Sequence, residues 1–329
     1  MNLKTPAIIT FIIAALSAPL RMTAQNDAQF SQHYEVPSLY NPAAIGQTDF
    51  LKIRGAGRLQ WVGIDGAPQT FLLTGDMPFK LFDKRFGVGL VMQQESIGLY
   101  KSLNLGAQIA FKLKKWGGEF TGAFQFGIYD QKFAGSEVYI PDADDYHQSS
   151  DEGIPTNDLH GTALDIAAGL WYKRPHWQVG ISVTHLTSPT ITMGGENGGA
   201  STSEQIYEFN APRTLYFMSS CNIPIKNTLF ELVPSMLVKS DLTFTTGELM
   251  ARTRYNKFLS FGVGYRWDDA VIATIAAEIK NFYVGYSYDY ATSAIHSASS
   301  GSHEIVVGYS MKLNLGEKNK NRHKSIRIM

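Results

Sequence analysis

The chain is 329 residues long and carries 29 basic and 29 acidic side chains, so it lacks the basic excess that nucleic-acid binding needs. Cys221 is the only cysteine; it excludes a disulfide framework and reads as a small apolar filler rather than a nucleophile. Glycine and aromatic residues are abundant, and from residue 49 onward the apolar period is two rather than 3.6, which excludes a helical bundle and points to sheet.

Residues 1–24 have the layout of a secretory signal: Lys4, an apolar run from Ala7 to Ala18, then Pro19 and a polar exit to Met22-Thr23-Ala24. Cleavage is expected after Ala24, although Met22 stands where a small residue is preferred. An uncleaved anchor is the alternative, but about a dozen apolar residues fall short of the ~20 that a helical span requires. The exported remainder has a net charge near minus two once Lys4 and Arg21 are removed.

Residues 25–48 are too polar, and too punctuated by Pro37 and Pro42, to form a membrane strand. Asn41-Pro42 disfavours helix at the asparagine and promotes a turn. This segment is expected to fold into or across the periplasmic mouth of a barrel, with Phe30, Tyr34 and Tyr40 packed against lumen side chains. The simpler alternative is a lead-in to the first strand.

Residues 49–315 contain about fourteen alternating segments, near 49–63, 68–78, 85–95, 101–114, 117–131, 162–173, 175–185, 213–223, 227–239, 243–255, 257–267, 270–279, 280–290 and 303–315. Most have the ~9 to 13 residues of a tilted membrane strand, and an even count suits a closed barrel. Tight turns such as Lys115-Trp116-Gly117 and Asn256-Lys257 alternate with connections that include long ones at 133–161 and 186–212 and a medium one at 291–302. That asymmetry puts the short turns and both termini on the periplasmic side of an outer membrane. The fold expected is therefore an all-β, transmembrane antiparallel barrel. A secreted β-sandwich, with its apolar faces turned inward, is the competing architecture.

Backbone groups in lipid must all be paired, so such a sheet closes and turns its apolar face outward. The lumen then receives Lys52, Arg54, Arg58, Gln60, Gln125, Glu231, Lys239, Arg266, Glu278, Asp289 and Lys312, while Trp61, Trp171, Trp177, Trp267, Tyr286 and Tyr290 face out. Charges of both signs inside suggest a cross-linked, filled lumen rather than an open pore. Gly66-Ala67-Pro68 forms the first outer turn.

The loop 133–161 is acidic and free of lysine and arginine after Phe133. Asp142, Asp144 and Asp145 are the first candidates for calcium, which prefers oxygen donors, although the spacing is not that of an EF-hand and a solvated acidic surface is the preferred reading. Residues 316–329 form a basic tail. No Gly-x-Ser-x-Gly, His-Glu-x-x-His or phosphate-cradling loop accompanies His147, His160, His185, His296 or His303. Ser302 and His303 are adjacent, yet neighbours in a strand point to opposite faces. No enzyme activity is expected.

The start of the exported chain carries Asp27-Ala28-Gln29-Phe30-Ser31-Gln32-His33-Tyr34 followed by Asn41-Pro42-Ala43-Ala44-Ile45-Gly46. Further on come Arg58-Leu59-Gln60-Trp61, then Gly66-Ala67-Pro68, and near the end Tyr288-Asp289-Tyr290 leads to Gly301-Ser302-His303-Glu304. In this order and spacing the sequence resembles the PorP/SprF family of type IX secretion and gliding-motility membrane proteins. The resemblance implies a non-enzymatic outer-membrane protein. Its expected partners are periplasmic secretion lipoproteins or a peptidoglycan-binding protein, and the C-terminal domains of secreted cargo or adhesins. A channel for hydrophobic small molecules is the alternative, since fourteen strands also suit such barrels.

Overall fold

The computed structural model describes residues 27–82, 84–138, 155, 157–195 and 207–314. The expected signal, the calcium candidates Asp142, Asp144 and Asp145, and the basic tail lie outside these residues. No described helix is long and apolar enough to cross a membrane.

Among the described residues, seventeen strands follow a short helix α1 (Pro37–Tyr40). The first seven are β1 (Phe50–Leu59), β2 (Gln69–Leu81), β3 (Lys84–Ile97), β4 (Tyr100–Lys115), β5 (Gly118–Phe133), β6 (Leu159–Lys173) and β7 (Trp177–Thr184). Two short ones, β8 (Thr190–Gly195) and β9 (Tyr207–Asn210), lie within the next connection. The remainder are β10 (Thr214–Cys221), β11 (Ile223–Pro224), β12 (Phe230–Ser240), β13 (Thr245–Tyr255), β14 (Leu259–Arg266), β15 (Ala270–Ile279), β16 (Phe282–Ala291) and β17 (Ser302–Lys312).

Fourteen of these strands form a closed antiparallel barrel: β1 to β7, β10, and β12 to β17. Closure runs from Phe50 opposite Lys312 to Leu59 opposite His303, and β10 bridges β7 and β12. No ladder edge is left around the wall, which is what a sheet in hydrocarbon requires. Strand β11 prolongs the β10 contact with β12 by two residues.

The wall shows why alternation forms this barrel and not a sandwich. Along β15, Val271 and Ile275 are about half exposed while Ile272 and Ala276 are buried. Leu90, Leu164 and Val263 also face out, an apolar band suited to lipid. One expectation fails here: Trp171 is buried, not outward. Its neighbours Leu170 and Leu164 occupy the outer parity of β6, and the indole lies over Gly180 of β7, where an added Cβ would collide with the ring. Gly180→Val is therefore expected to cost about 1–3 kcal/mol, as overpacking of a full site does, read as a lowered unfolding midpoint in detergent.

The two ends differ. One, here the turn end, carries the connections 82–83, 116–117, 174–176, 256–258 and 280–281. Phe82, Trp116, Asn256, Lys257 and Lys280 there adopt positive φ, the twist that matches two-residue hairpins to their strands. The other, the loop end, carries the long connections 134–158 and 185–213 and the medium one at 292–301. It also has a further medium connection at 60–68 and short ones at 98–99, 241–244 and 267–269, so the asymmetry resides in some of its loops rather than in all. The connection expected to be a plain loop at 186–212 contains the β8–β9 ladder. Strand β8 extends the start of β6, and Leu159, Ile191 and Met193 form a small core beneath it.

Candidate functional site

Residues 27–49 occupy the inside of the barrel and run along its length. Asp27 lies beside Thr184, the last residue of β7 at the loop end. Asp49 pairs with Arg85, the second residue of β3 at the turn end. The segment thus reaches well beyond the turn-end mouth where it was expected. It is also no mere lead-in to β1, because Phe30, Ser31, Gln32, Val36, Tyr40, Asn41 and Ile45 are all essentially inaccessible to solvent.

The tightest contact is an ionic cluster near the loop end. The wall supplies two guanidinium groups, Arg58 (β1) and Arg266 (β14), and three carboxylates, Glu248 (β13), Asp289 (β16) and Glu304 (β17), all buried. Arg58 reaches Asp289 at 2.7 Å and Glu304 at 3.2 Å. Arg266 reaches Glu248 at 2.8 Å and Asp289 at 3.2 Å. Carboxylates outnumber the arginines, and a buried charge needs hydrogen bonds as well as a counterion. The segment provides them. The backbone N–H groups of Ser31 and Gln32 donate to Glu304 at 2.7 and 2.9 Å, and the Ser31 hydroxyl donates to Asp289. Gln29 donates to Glu248 at 2.9 Å, and His33 Nδ1 lies 3.0 Å from the same carboxylate. This explains the Gln-Phe-Ser-Gln-His run: its polar groups solvate the carboxylates while Phe30 fills the apolar side.

Below this cluster, Glu35 bridges Arg54 and Arg252 at 3.4 Å each. The Arg252 guanidinium sits 3.6 Å from the centroid of the Tyr34 ring, within the range of a cation–π contact. Asn41 then lies flat on the wall. Its Nδ2 donates to the carbonyls of Leu170 and Ile181 at 3.1 Å, and its Oδ1 accepts from Ala43 N–H and starts the turn at Pro42. A Cβ on Gly169 or Gly180 would occupy the space of that amide. Gly46 has φ of +60° and would meet Gly87 with a side chain; its N–H donates to Asp76 at 2.7 Å and its carbonyl accepts from Lys112.

Of the residues singled out in the sequence, the structure brings Phe30, Ser31, Gln32, Tyr34, Asn41, Pro42, Gly46 and Arg58 together in the lumen. Gln60, Trp61, Gly66 and Pro68 stand apart in the β1–β2 connection, beyond the end of β1. Gln60 N–H donates to Pro68, Trp61 N–H to the Ser302 hydroxyl, and the Gly66 carbonyl accepts from Gly98. Gln60 therefore does not share the arginine cluster with Arg58. Lys312 and Glu278 are exposed at the rim. His303 packs at a tilt against the Tyr288 ring and meets the Tyr286 hydroxyl, on the side opposite buried Ser302.

A second clamp was not evident from the sequence. His185 Nε2 lies 3.4 Å from Asp27 and its Nδ1 lies 3.1 Å from Asp165 on β6, the latter an ion pair whose angle falls short of a hydrogen bond. Asp27 also accepts from the Tyr216 hydroxyl at 2.7 Å, and its carbonyl accepts from Lys239. Burial pulls the pKa of His185 down, but Asp27 and Asp165 outweigh it and raise it to about 10. Burial pushes Asp27 up, yet His185 and Lys239 hold it below the usual carboxylate range. The histidine contribution is full below its unfolded value of about 6.5 and is lost as pH rises through about 10. The aspartate contribution is present above about 3.9 and is lost as pH falls through its depressed value. The margin by which the wild-type unfolding midpoint exceeds that of His185→Asn should be constant just below pH 6.5, shrink as pH rises from about 6.5 to about 10, and be gone above that. A gap that persists there would reject the ion pair.

No group of three or more histidine, cysteine or acidic side chains is placed to hold a metal among the described residues. The cluster joins buried charges of the wall to the polar groups of residues 29–33, so it holds one chain segment inside another.

Among curated proteins none matches the chain in sequence. Solved structures with a similar barrel include the toluene transporter TodX of Pseudomonas putida (10% identity, 87% of this chain and 95% of that one, TM-score 0.47). A FadL homologue of Pseudomonas aeruginosa (10%, 83% and 93%, 0.46) and the translocator domain of the autotransporter NalP of Neisseria meningitidis (11%, 80% and 87%, 0.40) are others. These likenesses are too weak to carry a functional argument. The family model is another matter: that of the type IX secretion system membrane protein PorP/SprF matches residues 22–309, and the chain, an outer-membrane β-barrel, belongs to this family.

Proposed function

We propose that the protein is a non-enzymatic outer-membrane component of the type IX secretion system, exported by its N-terminal signal. It anchors periplasmic machinery and supports secretion or surface attachment of cargo and adhesins. Family membership over residues 22–309 carries this reading. The internal segment refines it, because a lumen crossed by residues 27–49 and locked by buried ion pairs suits a platform rather than a solute path. On this reading the turn end faces the periplasm, where lipoproteins or a peptidoglycan-binding partner dock. The long loops face outward, where the C-terminal domains of cargo are received, and gliding motility depends on the adhesins so delivered.

The alternative, a channel for hydrophobic small molecules, calls for a continuous apolar path. The polar and charged lumen of this barrel works against it. A deletion strain is expected to leave cargo undelivered or unattached at the surface while passive uptake of hydrophobic solutes stays unchanged. Normal surface cargo in that strain would rule the proposal out, and lost solute uptake would favour the channel. Purification from detergent-solubilised outer membranes should recover periplasmic lipoproteins or cargo C-terminal domains with the barrel.

A further inference from the structure

The internal segment does not fill the lumen evenly. On the side of β3 to β5, a cavity of about 220 Å³ opens beneath the β8–β9 ladder, and it shares Asp27, Glu95, Ser102 and Tyr129 with a smaller space deeper in the lumen. The chemistry of this wall is one-sided. Glu95 has a single hydrogen bond, from the Thr70 hydroxyl at 3.5 Å, and no cation pairs with it among the described residues. Gln131 is 3% exposed and lines the cavity, yet its Oε1 has no partner; Asn104 Oδ1 lacks one too.

Neither lysine nor arginine lines either space. The buried ammonium group of Lys239 donates to the Asp27 carbonyl at 2.6 Å. His185 is occupied by Asp27 and Asp165. The loop sequences at 139–154 and 196–206 contain no lysine or arginine that could be supplied from above. An unpaired carboxylate, two acceptor oxygens without donors and the Tyr129 ring together leave a site that lacks a small cation with several N–H donors. An ammonium group has three such donors and no acceptor, and it is attracted to an aromatic face. No group of three or more histidine, cysteine or acidic side chains is gathered there among the described residues, and a hard cation, which would use the same oxygens, is distinguished below by sodium.

We propose that this cavity and the deeper space that shares its wall bind a protonated primary amine, held by Glu95, which lines both, with Gln131 as an acceptor on the cavity side and Asn104 on the deeper side. Two sources share that chemistry. Cleavage after Ala24 would leave two residues ahead of Asp27, a reach of about 7 Å, so the α-ammonium of the exported chain is one source. A free alkylammonium ion entering from the loop end is the other. The site itself does not depend on the secretion reading.

The test uses the full barrel isolated from outer membranes, as wild type and as Glu95→Gln, which keeps the shape and removes the charge. First, the folded protein is acetylated and the α-amine followed by mass spectrometry. Second, the unfolding midpoint is measured in methylammonium chloride against sodium chloride at equal ionic strength. If the chain's own terminus is the ligand, its acetylation should be about tenfold slower in the wild type than in Glu95→Gln, the ratio one charge-assisted hydrogen bond supplies. If the ligand is free, methylammonium should raise the wild-type midpoint and leave that of the variant in place. Gln131→Met should weaken whichever effect is seen, and it replaces Glu95→Gln should that variant not fold. Equal acetylation together with no methylammonium shift would overturn the proposal, as would a shift that sodium reproduces.

Discussion

Arg266→Met is expected to be among the most damaging single substitutions in the wall, costing about 3–5 kcal/mol, the penalty for leaving buried charges without a partner. Among the described residues, Arg266 is the sole guanidinium on Glu248, at 2.8 Å, and one of two on Asp289. It also donates to the Ser31 hydroxyl at 2.8 Å. Its removal leaves three buried carboxylates facing Arg58 and the donors of residues 29–33. The barrel hydrogen bonds are untouched, so the loss should appear as a lowered midpoint in urea or heat with strand content intact. Arg254→Met is the control: its pair with Glu231 spans 3.4 Å and is partly exposed, and such pairs are worth about 0–1 kcal/mol. Similar effects from the two substitutions would mean that the cluster is not what holds the segment. The further step, replacing Arg266 and Glu248 together with apolar residues, should recover part of the loss, since a matched buried pair can be exchanged for packing at little cost.

The barrel was legible in the sequence because its wall obeys one rule over many residues. Alternation in β5, β14, β16 and β17 fixed which side chains face lipid, and tight turns such as Trp116-Gly117 marked the hairpins. Trp171 broke the rule because an inward tryptophan is chosen by the space over Gly180, a property of the neighbouring strand. The interior was harder to read for the same reason. Asp289 and Arg58 could be placed on the inner face, but that they meet around Ser31 depends on a contact between residues more than two hundred positions apart. His185 looked like a loop histidine, and its role follows only from Asp27 and Asp165 arriving from two other elements. One local signal was available. Glycine inside a strand often marks the close approach of another backbone, and inward Gly87, Gly169, Gly180 and Gly285 lie against Ile45, Asn41 and Gln32. Read together with the alternation, these glycines trace the path of the segment.

Removing that segment should convert the protein from a closed barrel into a pore. A barrel of eight strands is filled by its own side chains, while sixteen to eighteen strands enclose an aqueous channel. Fourteen strands with inward glycines and alanines fall between these limits, and here the space is taken by residues 27–49. Deletion of residues 25–46, with the export signal joined to Gln47, should therefore give steady conductance in planar bilayers and sugar flux in liposomes, where the intact protein is expected to give neither. Removal also strips Glu304 of both backbone donors and Asp289 of the Ser31 hydroxyl, but water entering the open lumen replaces them, so the wall need not unfold. A graded variant guards against a deletion that fails to assemble. Ser31→Ala with Asn41→Leu removes the hydroxyl from the cluster and the two amide bonds to Leu170 and Ile181. It should loosen the segment enough to give intermittent openings. A closed barrel in both variants would show that the lumen is sealed by something other than this segment. If the deletion conducts and yet still supports cargo attachment, the seal and the platform are separate properties of the molecule.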